Sequence, residues 1–208
     1  MTVPYVKFMK HAEKITKAAS KDRPVLKGVF HADDGSLAVT DSRRLYFAKN
    51  AHTNESNVVI DPKTGAIIDG NYPDIKRHIP DPDDAKYTVK LDVKEAVEAF
   101  NALLKSNHVR DKKYDITADA FISKANKIVF KVDNGIMHTQ YKPNAVIDGQ
   151  NDIITSFNTK YFAEALAMFK GVGVEEVILR NYGSLSPFTL SVGRYDDLLA
   201  LILPIRRV

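Results

Sequence analysis

The stretch YVKFMKHAEKITKAAS, residues 5–20, is followed two residues later by RPVLKGVFHADDGSLAVTDSRRLYFAKN, residues 23–50. In the first part apolar residues recur at three- and four-residue intervals, which is the signature of an amphipathic helix. In the second they alternate with polar residues, and Asp34-Gly35 supplies a tight hairpin turn between two strands. One helix followed by a short meander of strands is therefore the unit to look for elsewhere.

The unit returns twice. VKEAVEAFNALLKS at 93–106 places Val93, Val97, Phe100 and Leu104 on one helical face, and KYDITADAFISKANKIVFKVDNGIMHTQYK at 113–142 reads as strands turning at Asn134-Gly135. TKYFAEALAMFKG at 159–171 groups Phe162, Ala165, Leu166 and Phe169, with Gly171 and Gly173 as stop signals, ahead of strands in VEEVILRNYGSLSPFTLSVGRYDDLLALILPIRRV at 174–208. Pro, Gly and Asp accumulate between the first and second units, and a connection is expected near Pro80–Asp84. The pattern predicts an α+β protein, helices on one face of antiparallel sheets.

The closing LALILPIRRV, 199–208, asks whether the chain has a membrane segment. Its apolar run is far short of the roughly 20 residues a spanning helix needs, so a terminal strand from Leu198 to Leu203, ended by Pro204 and with alternate side chains buried, is expected. Lysines interrupt the N-terminal apolar positions too often for a signal peptide. Without cysteine there is neither a disulfide framework nor a thiolate metal site, and a cytoplasmic location is expected. The sequon at Asn54–Ser56 reads as chance in that setting.

No catalytic constellation emerges. The histidines at 11, 31, 52, 78, 108 and 138 lack metal-ligand spacing, and no phosphate loop or nucleophile elbow is present. Asp33-Asp34, Asp83-Asp84 and Asp196-Asp197 read as solvated turns. No enzyme activity, metal or cofactor is expected.

Charge says more. The net charge is +4, and Lys7, Lys10, Lys14, Lys17 and Lys21 recur at three, four, three and four residues, lining one face of the first helix. Like charges so placed repel, and only Glu13 relieves them. Two readings fit: a solvated face, or a stripe aimed at phosphates without reading bases.

Several stretches together resemble the bacterial sliding clamp, the beta subunit of DNA polymerase III. They are RPVLKGV (Arg23–Val29), VTDSRRL (Val39–Leu45), GNYPDIKRHIP (Gly70–Pro80), FNTKYFAEAL (Phe157–Leu166), SPFTL (Ser186–Leu190) and LPIR (Leu203–Arg206). They follow the family's order and cover nearly the whole chain, aligning with its second and third domains. On this resemblance residues 1–80 correspond to part of the second clamp domain and 81–208 to a complete third domain, in a DNA-clamp fold. The family's first domain has no counterpart. In the family each domain holds two helix-plus-strands units, six per chain and twelve in the closed dimer ring. Three units per chain would give the same total from four copies of a homo-oligomer; other ring sizes or an open assembly also fit.

The resemblance implies a DNA-tethering, processivity-type platform that holds duplex DNA without sequence specificity, its helices lining the hole. It also implies partners, a DNA polymerase or other replication and repair proteins, which insert a short apolar linear motif into a pocket between the second and third domains. The corresponding positions are Leu26, Thr40, Ser42, Arg43, Arg44, Leu45, Pro73, His78, Leu201, Leu203, Pro204, Ile205 and Arg206. Leu26, Leu45, Pro73, Leu201, Leu203 and Ile205 would form an apolar cleft with Arg44 and Arg206 as its polar rim. Simple core packing is the alternative role for each leucine. Arg43 stands where the family has a His, and His78 where it has an aliphatic residue, so motif preference would differ. A second reading keeps the pocket but not the ring: an interaction protein that binds replication-protein peptides as a decoy or modulator.

Overall fold

A computed structural model of the protein describes residues 3–55, 57–109, 117–123, 126–145, 147–149, 153–193 and 197–206. Ser56 of the sequon, Asp196 and Arg207 lie outside the described residues. In chain order the elements are α1 (Tyr5–Ala18), β1 (Val29–His31), β2 (Leu37–Thr40), β3 (Arg44–Ala48), β4 (Val58–Ile60), β5 (Tyr87–Asp92), α2 (Val93–Asn107), β6 (Thr117–Ile122), β7 (Ile128–Asp133), β8 (His138–Tyr141), β9 (Ile147–Gly149), β10 (Thr155–Asn158), α3 (Thr159–Gly171), β11 (Glu176–Asn181), β12 (Phe188–Ser191) and β13 (Leu198–Ile202). The fold is α+β, and the ladders of β1 with β2 and β4, β2 with β3, β5 with β9 and β11, and β6 with β7 and β10 are all antiparallel.

The chain forms two compact units, Met1–Pro80 with Ser191–Leu201, and Asp81–Leu190 with Ile202–Val208. Ser191–Leu201 is grouped with the first unit because Leu199 and Leu201 of β13 pack with Ala38, Leu45, Phe47 and Ile75. In this unit the strands run in the order β4-β1-β2-β3-β13, and α1 lies on β1 and β2. Phe8, Met9, Ala12 and Ile15 are the buried face of α1. In the second unit β12-β11-β5-β9 forms one set of neighbours and β10-β6-β7-β8 another, with α2 against α3 and on β7 and β8. An aromatic cluster fills its interior, with Phe100 of α2 stacked on Phe162 of α3 at 4.4 Å between ring centroids and Phe130 and Phe157 around them.

Local chemistry sets the element ends. Asp92 accepts from the backbone N–H of Glu95 at 2.7 Å and Asn158 from those of Lys160 and Tyr161, so α2 and α3 start on side-chain caps. Gly35 and Gly135, at φ 80° and 78°, form the turns expected at Asp34-Gly35 and Asn134-Gly135. Three sequence expectations are corrected. Pro24–Lys27 is a 3-10 helix, with proline in its first turn, and the strand begins only at Val29. β13 ends at Ile202, before Leu203, and all five of its side chains are buried rather than alternate ones. Helix α1 ends at Ala18, so Lys21 lies beyond it.

His31 braces the start of α1, and His52 stands beside it. His31, buried, donates from Nδ1 to the Val29 carbonyl at 3.0 Å, leaving Nε2 as acceptor for the Tyr5 hydroxyl at 3.0 Å. His52 accepts at Nδ1 from the Asn54 N–H and donates from Nε2 to the Ser36 carbonyl, with its ring 5.0 Å from that of His31. Burial, and then the neighbouring His52, push the His31 pKa below its ordinary value of 6.5, against the pull of the Val29 carbonyl. The unfolded chain then binds the proton first, so the His31 contribution to stability is intact above about pH 6.5 and is lost as pH falls through the lower folded value. Urea unfolding at stepped pH is expected to show this loss in the wild type and a flatter profile in His31→Gln. Equal slopes would remove His31 as its source.

Candidate functional site

Lys7, Lys10, Lys14 and Lys17 are all exposed on α1, opposite the face formed by Phe8, Ala12 and Ile15. At 3.6 residues per turn the four fall within about 80° of one another around the axis. Lys17 bonds Glu13 one turn back at 3.0 Å, an exposed pair that holds little energy. Among the described residues no ion pair engages Lys7, Lys10 or Lys14. Lys21, also exposed, follows the helix in a turn. The face thus presents unneutralised ammonium groups at the pitch of the helix, while its opposite side is anchored in the core.

The first unit holds nine of the positions assigned to partner docking, and they separate into surface and interior. Ser42, Arg43, Pro73 and His78 are exposed and Thr40 is half-buried. Leu26, Leu45 and Leu201 are buried; Leu45 and Leu201 belong to one apolar cluster on which Phe30, Tyr72 and Ile79 also pack. A cleft of about 460 Å³ opens beside Leu26 and Pro73, and Asp22, Arg23, Asp69 and Gly70 also line it. In the second unit Leu203 is exposed, Pro204 and Ile205 are half-buried and Arg206 is exposed. There Pro204 bridges to Phe157, and the Ile205 N–H donates to the Ser156 carbonyl at 2.7 Å, so this tail is fastened to β10.

Arg44 is the correction in this set. Expected on a rim, its side chain is only 1% exposed and pairs with Asp41, itself 2% exposed, at 3.1 Å. Its Nη2 donates to the backbone carbonyl of Lys14 on α1 at 3.3 Å. Asp41 also accepts at Oδ1 from the N–H groups of Arg43 and Arg44, both at 3.0 Å, and so closes the turn between β2 and β3. That turn carries Ser42 at φ 70°, in the left-handed region. The Ser42 N–H donates to Thr40 Oγ1, Thr40 Oγ1 donates to the Arg44 carbonyl at 2.7 Å, and Arg23 Nη1 donates to Ser42 Oγ at 3.3 Å. Below it the Thr40 N–H donates to the Tyr72 hydroxyl, whose ring stacks on Phe30 at 5.3 Å. Arg43 is the guanidinium that the turn displays outward.

Asp41 and Tyr72 were not among the site residues expected from the sequence. The signal for Asp41 was available: an Asp three residues before an Arg, with Ser between, is a turn that can close on its own carboxylate. Among the described residues no group of three or more His, Asp or Glu is placed to hold a metal ion. No helix among them is long and apolar enough to cross a membrane.

Compared by sequence, the chain matches no protein-family model and no curated protein. Compared by structure, it has the fold of the DNA polymerase sliding clamps. The DNA polymerase sliding clamp of Bacillus subtilis superposes with a TM-score of 0.79 at 23% identity, over 99% of this chain and 64% of that one. The beta subunit from DNA polymerase of Streptococcus pyogenes gives 0.77 at 22%, over 97% and 64%. The Pseudomonas aeruginosa clamp bound to griselimycin gives 0.76 at 17%, over 98% and 64%. The chain thus spans about 64% of the length of these clamps.

Replacing Arg44 by Met strands the buried Asp41 carboxylate and is expected to cost about 3–5 kcal/mol of unfolding free energy. Arg43→Ala, a fully solvated change, is expected to stay within about 0.5 kcal/mol. Chemical denaturation of the two variants checks the contrast; equal effects would mean that Arg44 is not the buried member.

Proposed function

We propose that this protein is a clamp-like platform that holds duplex DNA without sequence specificity and tethers other proteins to it. The observation that carries the reading is the exposed lysine face of α1, three of its lysines in no ion pair among the described residues, on a sliding-clamp fold. Ammonium groups spaced along a helix that carries no Asn or Gln to read base edges suit phosphates and release counterions on binding. Each phosphate neutralised adds about 0.9 to the slope of log affinity against log salt.

Partner docking is the second part of the reading. In the second unit the exposed Leu203 and half-buried Ile205 offer apolar side chains for a short linear motif; in the first, Pro73 stands exposed beside the cleft. Arg206 in the second unit and Arg43 in the first are exposed cations. Leu45 and Leu201 lie deeper, in the apolar core of the first unit.

Several protomers are needed to surround a duplex, given three helix-plus-strands units per chain, and four copies would match the twelve units of a closed clamp ring. The rival reading keeps docking without the ring: a non-encircling protein that binds replication-protein peptides. On nicked circular duplex the wild type is expected to be retained and released on linearisation, with a mass in solution of several protomers. Lys7→Glu, Lys10→Glu and Lys14→Glu together are expected to abolish retention and to flatten the salt slope by about 0.9 for each phosphate left unneutralised. A monomeric mass with unchanged peptide binding would replace the platform with the rival. Leu203→Asp is expected to weaken partner capture without changing DNA retention; unchanged capture would remove the docking assignment.

A further inference from the structure

The buried pair described above does more than close a turn. Asp41 holds the turn by three acceptor interactions, two to backbone N–H groups and one to Arg44 Nε. The same guanidinium then reaches across to helix α1 and donates to the carbonyl of Lys14. That carbonyl lies at the base of the last helical turn, where it also accepts from the Ala18 N–H in regular helix geometry, and where a cation is favoured by the helix dipole. The Lys14 side chain stands on the outer face, in the lysine stripe. Between the displayed turn residues Ser42 and Arg43 and the displayed Lys14 there are therefore only a carboxylate and a guanidinium, both buried and both fully committed in direction.

Such a link is stiff for a physical reason. Burial strips a carboxylate and a guanidinium of their hydration, and a motion that parts them inside the protein loses the attraction that offsets that cost. The planar guanidinium bonds Asp41 through Nε and the Lys14 carbonyl through Nη2, so it transmits orientation as well as distance, which a lysine point charge would not. The turn has no slack of its own either: Ser42 at φ 70° is held by its N–H to Thr40 and its hydroxyl to Arg23.

We propose that Asp41 and Arg44 are positioning residues that couple the Ser42–Arg43 turn to the last turn of the lysine helix, so that a ligand displacing either surface is felt at the other. The biological sense of this coupling rests on the reading given under Proposed function, in which one surface meets DNA and the other a partner. Linkage makes the effect reciprocal: what docking at the turn does to DNA affinity, DNA does equally to docking.

Backbone amide spectra of the full-length protein test the link in two ways. In the first, Ser42→Gly relaxes the left-handed turn, and the Ala18 amide signal is expected to move in the wild-type background. It is expected not to move in the Asp41→Asn, Arg44→Gln background, which removes both buried charges together and strands neither. Movement in both backgrounds, or in neither, overturns the proposal. In the second, a mixed-sequence duplex is added. The signals of α1 and of Ser42 and Arg43 are expected to shift together in the wild type, and those of α1 alone in the double variant. Turn shifts of equal size in both would mean direct binding at Arg43 instead of coupling. If the duplex moves no α1 signal, it is the DNA reading of the helix that fails, and the Ser42 arm still decides the link. Should the double variant not fold, Arg44→Lys keeps a cation beside Asp41 but removes the fork to Lys14, and it is expected to weaken the Ala18 response; an undiminished response overturns the proposal.

Discussion

Each helix of this protein has one face to give to a sheet, and everything else is arranged around that constraint. A helix lying on a sheet buries about a third of its circumference and leaves the rest in water. In α1 the buried third is Phe8, Met9, Ala12 and Ile15. The far side is then free of packing demands, and four lysines occupy it. α2 and α3 meet the same constraint differently, because they also pack on each other through Phe100 and Phe162. The result is one unit whose helix keeps a wide charged flank and one whose helices share an aromatic interior.

The fold class was legible because its signals are local. Apolar spacing in 5–18, 93–107 and 159–171 fixes three helices, and the Asp-Gly and Asn-Gly turns fix two hairpins, with no knowledge of distant neighbours. What failed was also local in form but tertiary in cause. Pro24–Lys27 lies in a stretch that reads as extended, yet proline's fixed φ suits the first turn of a 3-10 helix equally well. Alternating burial in β13 failed because the strand has both faces covered, a property of what surrounds it and not of its own residues.

The candidate site was legible in its membership and not in its depth. Sequence places Arg43 and Arg44 side by side where the turn enters β3, and only Arg44 belongs to the strand. Which one faces inward depends on where an acceptor waits inside. The acceptor is Asp41, and behind it the Lys14 carbonyl, contributed by a helix thirty residues earlier in the chain. A pattern of residue types carries no information about that carbonyl. The same holds for Leu45 and Leu201, which reach one cluster from positions far apart in the chain.

The buried pair also bears on why the exposed lysines sit on a helix with no side-chain cap. Pro4 starts α1 without a cap bond, and no acidic residue occupies its first turn, so the helix derives little stability from its own ends. Repulsion along the stripe lowers it further. A helix so disfavoured in isolation is held from outside: by its apolar face, by Tyr5 on His31 at one end and by Arg44 on the Lys14 carbonyl at the other. Those two polar anchors reach the helix from its sheet side, opposite the lysines. Charge can therefore be concentrated on the free face without the helix having to provide its own counter-ions, and only Glu13, beside Lys17, departs from that division. Neutralising the stripe from within would have been the more stable arrangement for the helix alone, and among the described residues Lys7, Lys10 and Lys14 have no such partner.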